Sequence, residues 1–122
     1  MMRKTFIVAL LLLSCTILRS QDGWISKVSP SIITGLQDGE EVECLIQLHD
    51  TPDLRRAKTI RSKGKKGQYV FSNLRKTAES SQRALIDWLK AKGRFPKSLY
   101  IVNLIKVSLD QSMIEAIAKR PE

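Results

Sequence analysis

Apolar and polar positions alternate with two distinct periods along this chain. Val70, Leu74, Ala78, Ser81, Leu85, Trp88 and Leu89 recur at three- and four-residue spacing, with Lys76, Glu79, Arg83, Asp87 and Lys90 opposite. That spacing predicts a long amphipathic helix from Gly67 to near Lys92, with Leu85 and Trp88 in the core. Gly93 suits the residue just past its end, where a left-handed backbone is needed. Lys90 and Lys92 face the negative end of the helix dipole. Val42 to Leu48 alternates instead. Val42, Cys44, Ile46 and Leu48 share one face, and Glu43, Leu45 and Gln47 share the other, as in a strand with one face buried deeper.

Four weaker signals complete the order of elements. Ser29-Pro30-Ser31 can start a short helix carrying Ile32, Ile33 and Leu36, with Gly35 weakening it. His49 to Lys66 reads as a polar, basic connection with a helical turn within Asp53 to Ile60. Ser98–Val102 and Leu104–Leu109 are β-rich runs separated by Asn103, a residue suited to a turn or bulge. Asp110 is a good N-cap for a second helix with Met113, Ile114, Ile117 and Ala118 on one stripe, and Pro121 ends it. The predicted class is therefore α+β. Strand, long helix, two strands and a short helix make βαββα, one strand short of the ferredoxin-like βαββαβ split sandwich. In that fold two helices cover one face of an antiparallel sheet and the other face stays open. The fourth strand is expected after Glu122.

The amino terminus has its own pattern. Met1 to Lys4 is short and basic, Thr5 to Leu13 is almost wholly apolar, and small residues lead to the polar Gln21-Asp22-Gly23. This is the order of a secretory signal peptide cut after Ser20. The apolar run is shorter than the roughly 20 residues that span a bilayer, so no stable membrane span is expected after cleavage. The expected organisation is a signal at 1–20, a leader at 21–39 and a domain at 40–122, in a secreted or periplasmic protein. A second reading takes Leu12-Leu13-Ser14-Cys15 as a lipoprotein signal, which would anchor the domain through Cys15.

Composition narrows the function. The 122 residues carry a net charge of +9. Arg3, Lys4 and Arg19 leave with the signal, lowering it to +6. Arg55, Arg56, Lys58, Arg61, Lys63, Lys65 and Lys66 form one basic stretch. It reads as a solvated loop. It lacks aromatics for base stacking, and export argues against a nucleic-acid partner, although charge alone allows a binder of nucleic acid or anionic surfaces. Cys44, the one cysteine outside the signal, has no disulfide partner and reads as a small buried hydrophobe. His49 is the sole histidine; on the surface it could lend some pH sensitivity, but an ordinary loop histidine is the simpler reading. There is no Gly-x-Ser-x-Gly elbow, no cluster with metal-ligand spacing and no phosphate loop. Glu40, Glu41 and Glu43 read as a solvated edge rather than an acid–base pair. Nothing in the chain calls for a cofactor, and no catalytic residue is assigned.

Several passages resemble one family. They are Glu41-Val42-Glu43-Cys44-Leu45-Ile46-Gln47-Leu48, Leu85-Ile86-Asp87-Trp88-Leu89, Tyr100-Ile101-Val102-Asn103-Leu104-Ile105-Lys106-Val107, and Ile114 to Pro121. Together they resemble the inhibitor I9 type of pro-region that precedes secreted subtilisin-like (S8) serine proteases. The resemblance implies an intramolecular chaperone and temporary inhibitor whose partner is the protease domain, in cis within a precursor or in trans. It implies an open sheet face that contacts the protease. Leu45 and Gln47 belong there by alternation, and Tyr100 and Val102 are added from the next strand. The protease's Asp, His and Ser blocks, the fourth strand and the cleft-blocking tail are not in this sequence, so the chain itself is expected to be no enzyme. A stand-alone inhibitor or binding module of the same fold is the second reading.

Overall fold

The structure is a computed structural model and describes residues 23–37 and 39–122. The expected signal peptide, its cut after Ser20 and Cys15 lie outside the described residues. Three α-helices and a three-stranded antiparallel sheet are present among them, an α+β fold. The order is α1 (Pro30–Leu36), β1 (Val42–Gln47), α2 (Lys63–Ala91), β2 (Lys97–Leu99), β3 (Leu104–Leu109) and α3 (Gln111–Ala118), with single 3-10 turns at Ile25–Lys27 and Arg55–Thr59.

β3 is the central strand. It pairs antiparallel with β1, from Val42 opposite Leu109 to Gln47 opposite Leu104, and with β2, from Lys97 opposite Lys106 to Leu99 opposite Leu104. The alternation predicted for β1 is realised. Cys44 and Leu48 are buried together with Ile105, Val107 and Leu109 of β3, under Leu85 and Leu89 of α2 and Met113 and Ile114 of α3. Leu85 is 2% exposed and Leu89 is fully buried. Trp88 was expected in the core, but it is only half-buried and packs against the cluster's flank. The stripe is narrower than its sequence suggests because Ala78, Gln82, Leu85 and Leu89 take the inward positions.

Helix ends follow the expected chemistry. Gly93 has φ +74°, its N–H bonds Lys90 O at 2.9 Å, and the Arg94 N–H bonds Leu89 O at 3.0 Å. This pair of bonds is a Schellman motif, which satisfies the last carbonyls of α2. Asp110 caps α3, its carboxylate accepting from the Met113 N–H at 3.0 Å. α1 starts with Pro30 in its first turn after Ser29. Gly35 has a packing reason to be glycine, since a Cβ there would sit 3.0 Å from Val42 Cγ2.

Two boundaries differ from expectation. α2 starts at Lys63, not Gly67, so much of the basic stretch is helix rather than loop. The Ser62 hydroxyl accepts from the Lys65 N–H and caps this start. The run Ser98–Val102 yields a strand only at Lys97–Leu99, because residues 100–103 form the β2–β3 turn. Asn103 closes that turn at φ +47°, a left-handed conformation that asparagine tolerates better than most residues.

Candidate functional site

The site grows from the outer edge of β1. The Leu48 N–H points to β3, donating to Asn103 O at 3.2 Å, and the His49 N–H points the other way. By alternation, Glu43, Leu45 and Gln47 also turn their backbone N–H and C=O outward, away from β3. Among the described residues no strand pairs with this edge. One rung exists: the His49 N–H donates to Glu122 O at 3.0 Å.

A cavity of about 310 Å³ lies along the same edge. Its floor is core, from Ile46, Leu109, Ile114 and Ile117. Its far wall is the leader, where Val28 and Ile32 pack against the core. Lys27 Nζ donates to Arg120 O at 3.1 Å and ties the leader to the segment after α3. Arg120 in turn bonds the Glu122 carboxylate through Nε at 2.6 Å. The groove thus has an apolar floor, one lip of unpaired strand backbone and a charged rim at the His49 end. An extended chain running antiparallel to β1 has partners there for both its backbone and its alternate side chains.

The second surface is the sheet face turned away from α2 and α3. Leu45, 61% exposed, stands beside Lys106, and Gln47 beside Leu104. Lys106 Nζ lies 2.9 Å from a Glu43 carboxylate oxygen on the same face. The structure therefore brings Leu45 and Gln47 together there. It does not bring Tyr100 and Val102 with them. Tyr100 lies in the β2–β3 turn and packs edge-on against Phe71 of α2, with ring centroids 5.6 Å apart. That puts Tyr100 on the helix side. Val102 is exposed in the same turn, outside any strand. The expectation for both rested on a five-residue strand, and shortening that strand removes its alternation.

Burial and charge assign chemistry elsewhere. Burial, with the Glu43 carboxylate nearby, pushes the Cys44 thiol up, so it stays protonated and unreactive at neutral pH. Glu41 does not stand free: it pairs with Arg94, which also binds Asp110 at 2.9 Å and Met113 Sδ at 3.2 Å. This guanidinium ties the approach to β1, the turn after α2 and the cap of α3 together. A buried polar cluster was not anticipated. Gln82, fully buried in α2, donates to Asn103 Oδ1 at 2.9 Å and Leu104 O at 3.2 Å, and Asn103 Nδ2 donates to Asp50 O at 2.8 Å. The signal was present: Gln82 continues the spacing of Ala78, Leu85 and Leu89.

Among the described residues no group of three or more His, Cys, Asp or Glu could hold a metal ion, and no helix is long and apolar enough to cross a membrane. A scan against family models gives no match, and comparisons with curated proteins and solved structures give none either.

Proposed function

We propose that this chain is the pro-region of a secreted subtilisin-like serine protease, acting as folding assistant and temporary inhibitor of the protease domain. In this reading the fold is a ferredoxin-like split sandwich whose fourth strand lies in the groove beside β1. One observation carries the reading: the outer edge of β1 is open, among the described residues, beside a core-lined cavity, and the Glu122–His49 bond already starts a backbone pairing at the His49 end, from which an antiparallel strand can run along the edge. A strand following Glu122 in that direction meets Gln47, then Leu45, then Glu43. Its inward side chains enter the cavity, and its far end is delivered to the end of the sheet where β1 begins.

The inhibitory surface of this reading is the open face around Leu45 and Gln47, with Leu104 and Lys106 beside them. Tyr100 and Val102 are dropped from it, for the reason given by their placement. The chaperone role follows from mass action, because a domain that binds the folded protease and not the unfolded chain stabilises the fold. A covalent link raises the effective concentration of the contact. The same surfaces would serve a stand-alone inhibitor acting in trans. The reading places the protein outside the cytoplasm, with the signal at 1–20 removed on export.

The test is a titration of a subtilisin-like catalytic domain with the chain, following hydrolysis of a chromogenic peptide. Inhibition that is lost in Leu45→Asp supports the reading. A chain that neither inhibits the protease nor speeds refolding of its denatured catalytic domain, with or without the sequence encoded after Glu122, refutes it. The frame beyond Glu122 separates the two forms: Asp, His and Ser protease blocks mean a precursor, and a stop codon means an inhibitor in trans.

A further inference from the structure

The proposed function makes no use of the basic stretch, and the structure gives that stretch a shape its sequence did not. From Leu54 through Lys76 there are nine Lys or Arg residues and no Asp or Glu. Apart from Arg61 in the link between them, these side chains sit on the 3-10 turn Arg55–Thr59 and on the first half of α2, which pack against each other. α2 has 29 residues, about 43 Å of helix at 1.5 Å per residue. A six-residue strand covers only about 20 Å. The fully buried residues of α2 begin at Ala78, so its first half projects past the sheet as a cationic arm.

The arm carries the aromatic residues that the basic stretch lacked. Arg56 lies over the Tyr69 ring, 6.0 Å from its centroid, and the Tyr69 hydroxyl donates to Asp53 O. Arg75 lies over the Phe71 ring at 5.8 Å, and Phe71 meets Tyr100. Ile101 and Val102 extend this group, 66% and 56% exposed, and Phe71 is 46% exposed. One end of the molecule therefore joins uncompensated positive charge to exposed apolar side chains. Asp53 and Glu79 neutralise Arg55 and Arg75; Lys63, Lys65 and Lys66, with no acidic residue in the first turn of α2, form no ion pair among the described residues.

We infer that this end of the molecule is a docking surface for an anionic lipid bilayer, with the lysines of α2 on the headgroups and Phe71, Ile101 and Val102 at the interface. Charge complementarity calls for a polyanion. The apolar residues select among polyanions: a nucleic acid or acidic glycan offers nothing to Ile101 and Val102, whereas the headgroup boundary of a membrane accepts aliphatic and aromatic side chains beside cations. The surface lies on α2 and the β2–β3 turn, and none of the side chains named for it lines the β1 groove.

The test is cosedimentation of the full chain with phosphatidylcholine vesicles containing about 30% phosphatidylglycerol, and with phosphatidylcholine alone, at low and high salt. Binding to the anionic vesicles only, weakened by salt, is expected. A lysine close to an anionic leaflet contributes roughly fivefold in affinity, so Lys63→Ala/Lys65→Ala/Lys66→Ala should bind about a hundredfold more weakly. Residues 1–62 are common to both chains, so this difference belongs to the arm and not to the apolar amino terminus. Ile101→Ser/Val102→Ser should lose the binding that survives high salt. All five substituted side chains are exposed, and thermal melting verifies that both variants fold. Equal binding to the two vesicle types, or a lysine variant that binds as the parent does, overturns the inference. So does a serine variant that binds like the parent while duplex DNA is held as tightly, which would assign the arm to a soluble polyanion.

Discussion

Replacing Asn103 tests how the sheet, the long helix and the β1 connection are joined. Its side chain is 7% exposed and accepts from Gln82 Nε2 at 2.9 Å. It donates to Asp50 O at 2.8 Å and to Ser81 Oγ at 3.1 Å. Its backbone sits at φ +47°. Asn103→Ala acts through both. Gln82 is fully buried and its Oε1 has no partner among the described residues, so weakening its donor side costs about 1–3 kcal/mol. A Cβ-bearing residue without asparagine's local bonding in the left-handed region costs roughly 1–2 kcal/mol more. The expected total is about 2–5 kcal/mol, or a melting temperature lower by about 8 °C or more at about 4–8 °C per kcal/mol for a domain of this size. Asn103→Gly loses the side-chain bonds but fits the backbone, so it should fall between the parent and Asn103→Ala by about 1–2 kcal/mol. Urea unfolding followed by circular dichroism separates the three through their midpoints at unchanged slope. If Asn103→Ala melts with the parent, or Asn103→Gly is less stable than Asn103→Ala, the network and the turn do not act as described.

Core truncation should rank by burial: Leu85→Ala costs about 2–5 kcal/mol and Trp88→Ala less than the 3–5 kcal/mol of a fully buried aromatic, a ranking that thermal melts of the two variants would verify. The Ser112 hydroxyl, the Met113 N–H and then the Arg94 guanidinium hold the Asp110 carboxyl below the usual carboxylate range. Its stabilising effect is therefore complete above the unfolded carboxylate pKa of about 3.9 and is lost as pH falls through the lower folded value. Melting from about pH 6 to pH 2 should show a smaller acid loss for Asp110→Asn than for the parent. Cys44, buried and pushed up in pKa, should resist iodoacetamide in a folded Cys15→Ser chain and react once urea unfolds it; prompt labelling of the folded chain would contradict its burial. Gly93→Ala should lower stability by about 1 kcal/mol, read from the urea midpoint, because φ +74° disfavours a Cβ.

Local chemistry decided much of this fold, and so it could be read along the chain. The alternation of Val42 to Leu48, the Asp110 cap and the Gly93 stop depend on neighbours within a few residues, and each stands where its pattern put it. The face of Leu45 and Gln47 follows from the same alternation. What depended on distant partners could not be read this way. The start of α2 at Lys63 follows the Ser62 cap and the contact with Arg55–Thr59, where polar, basic composition alone read as a connection. The strand Lys97–Leu99 stops early because the turn must bring Asn103 under Gln82 and carry Tyr100 to Phe71, which moves Tyr100 off the open face. Most of all, hydrophobic spacing identifies β1 as a strand but carries no information on which neighbour fills each of its edges. Only the pairing with β3 on one side, and the leader with the Glu122–His49 bond on the other, made its outer edge a groove.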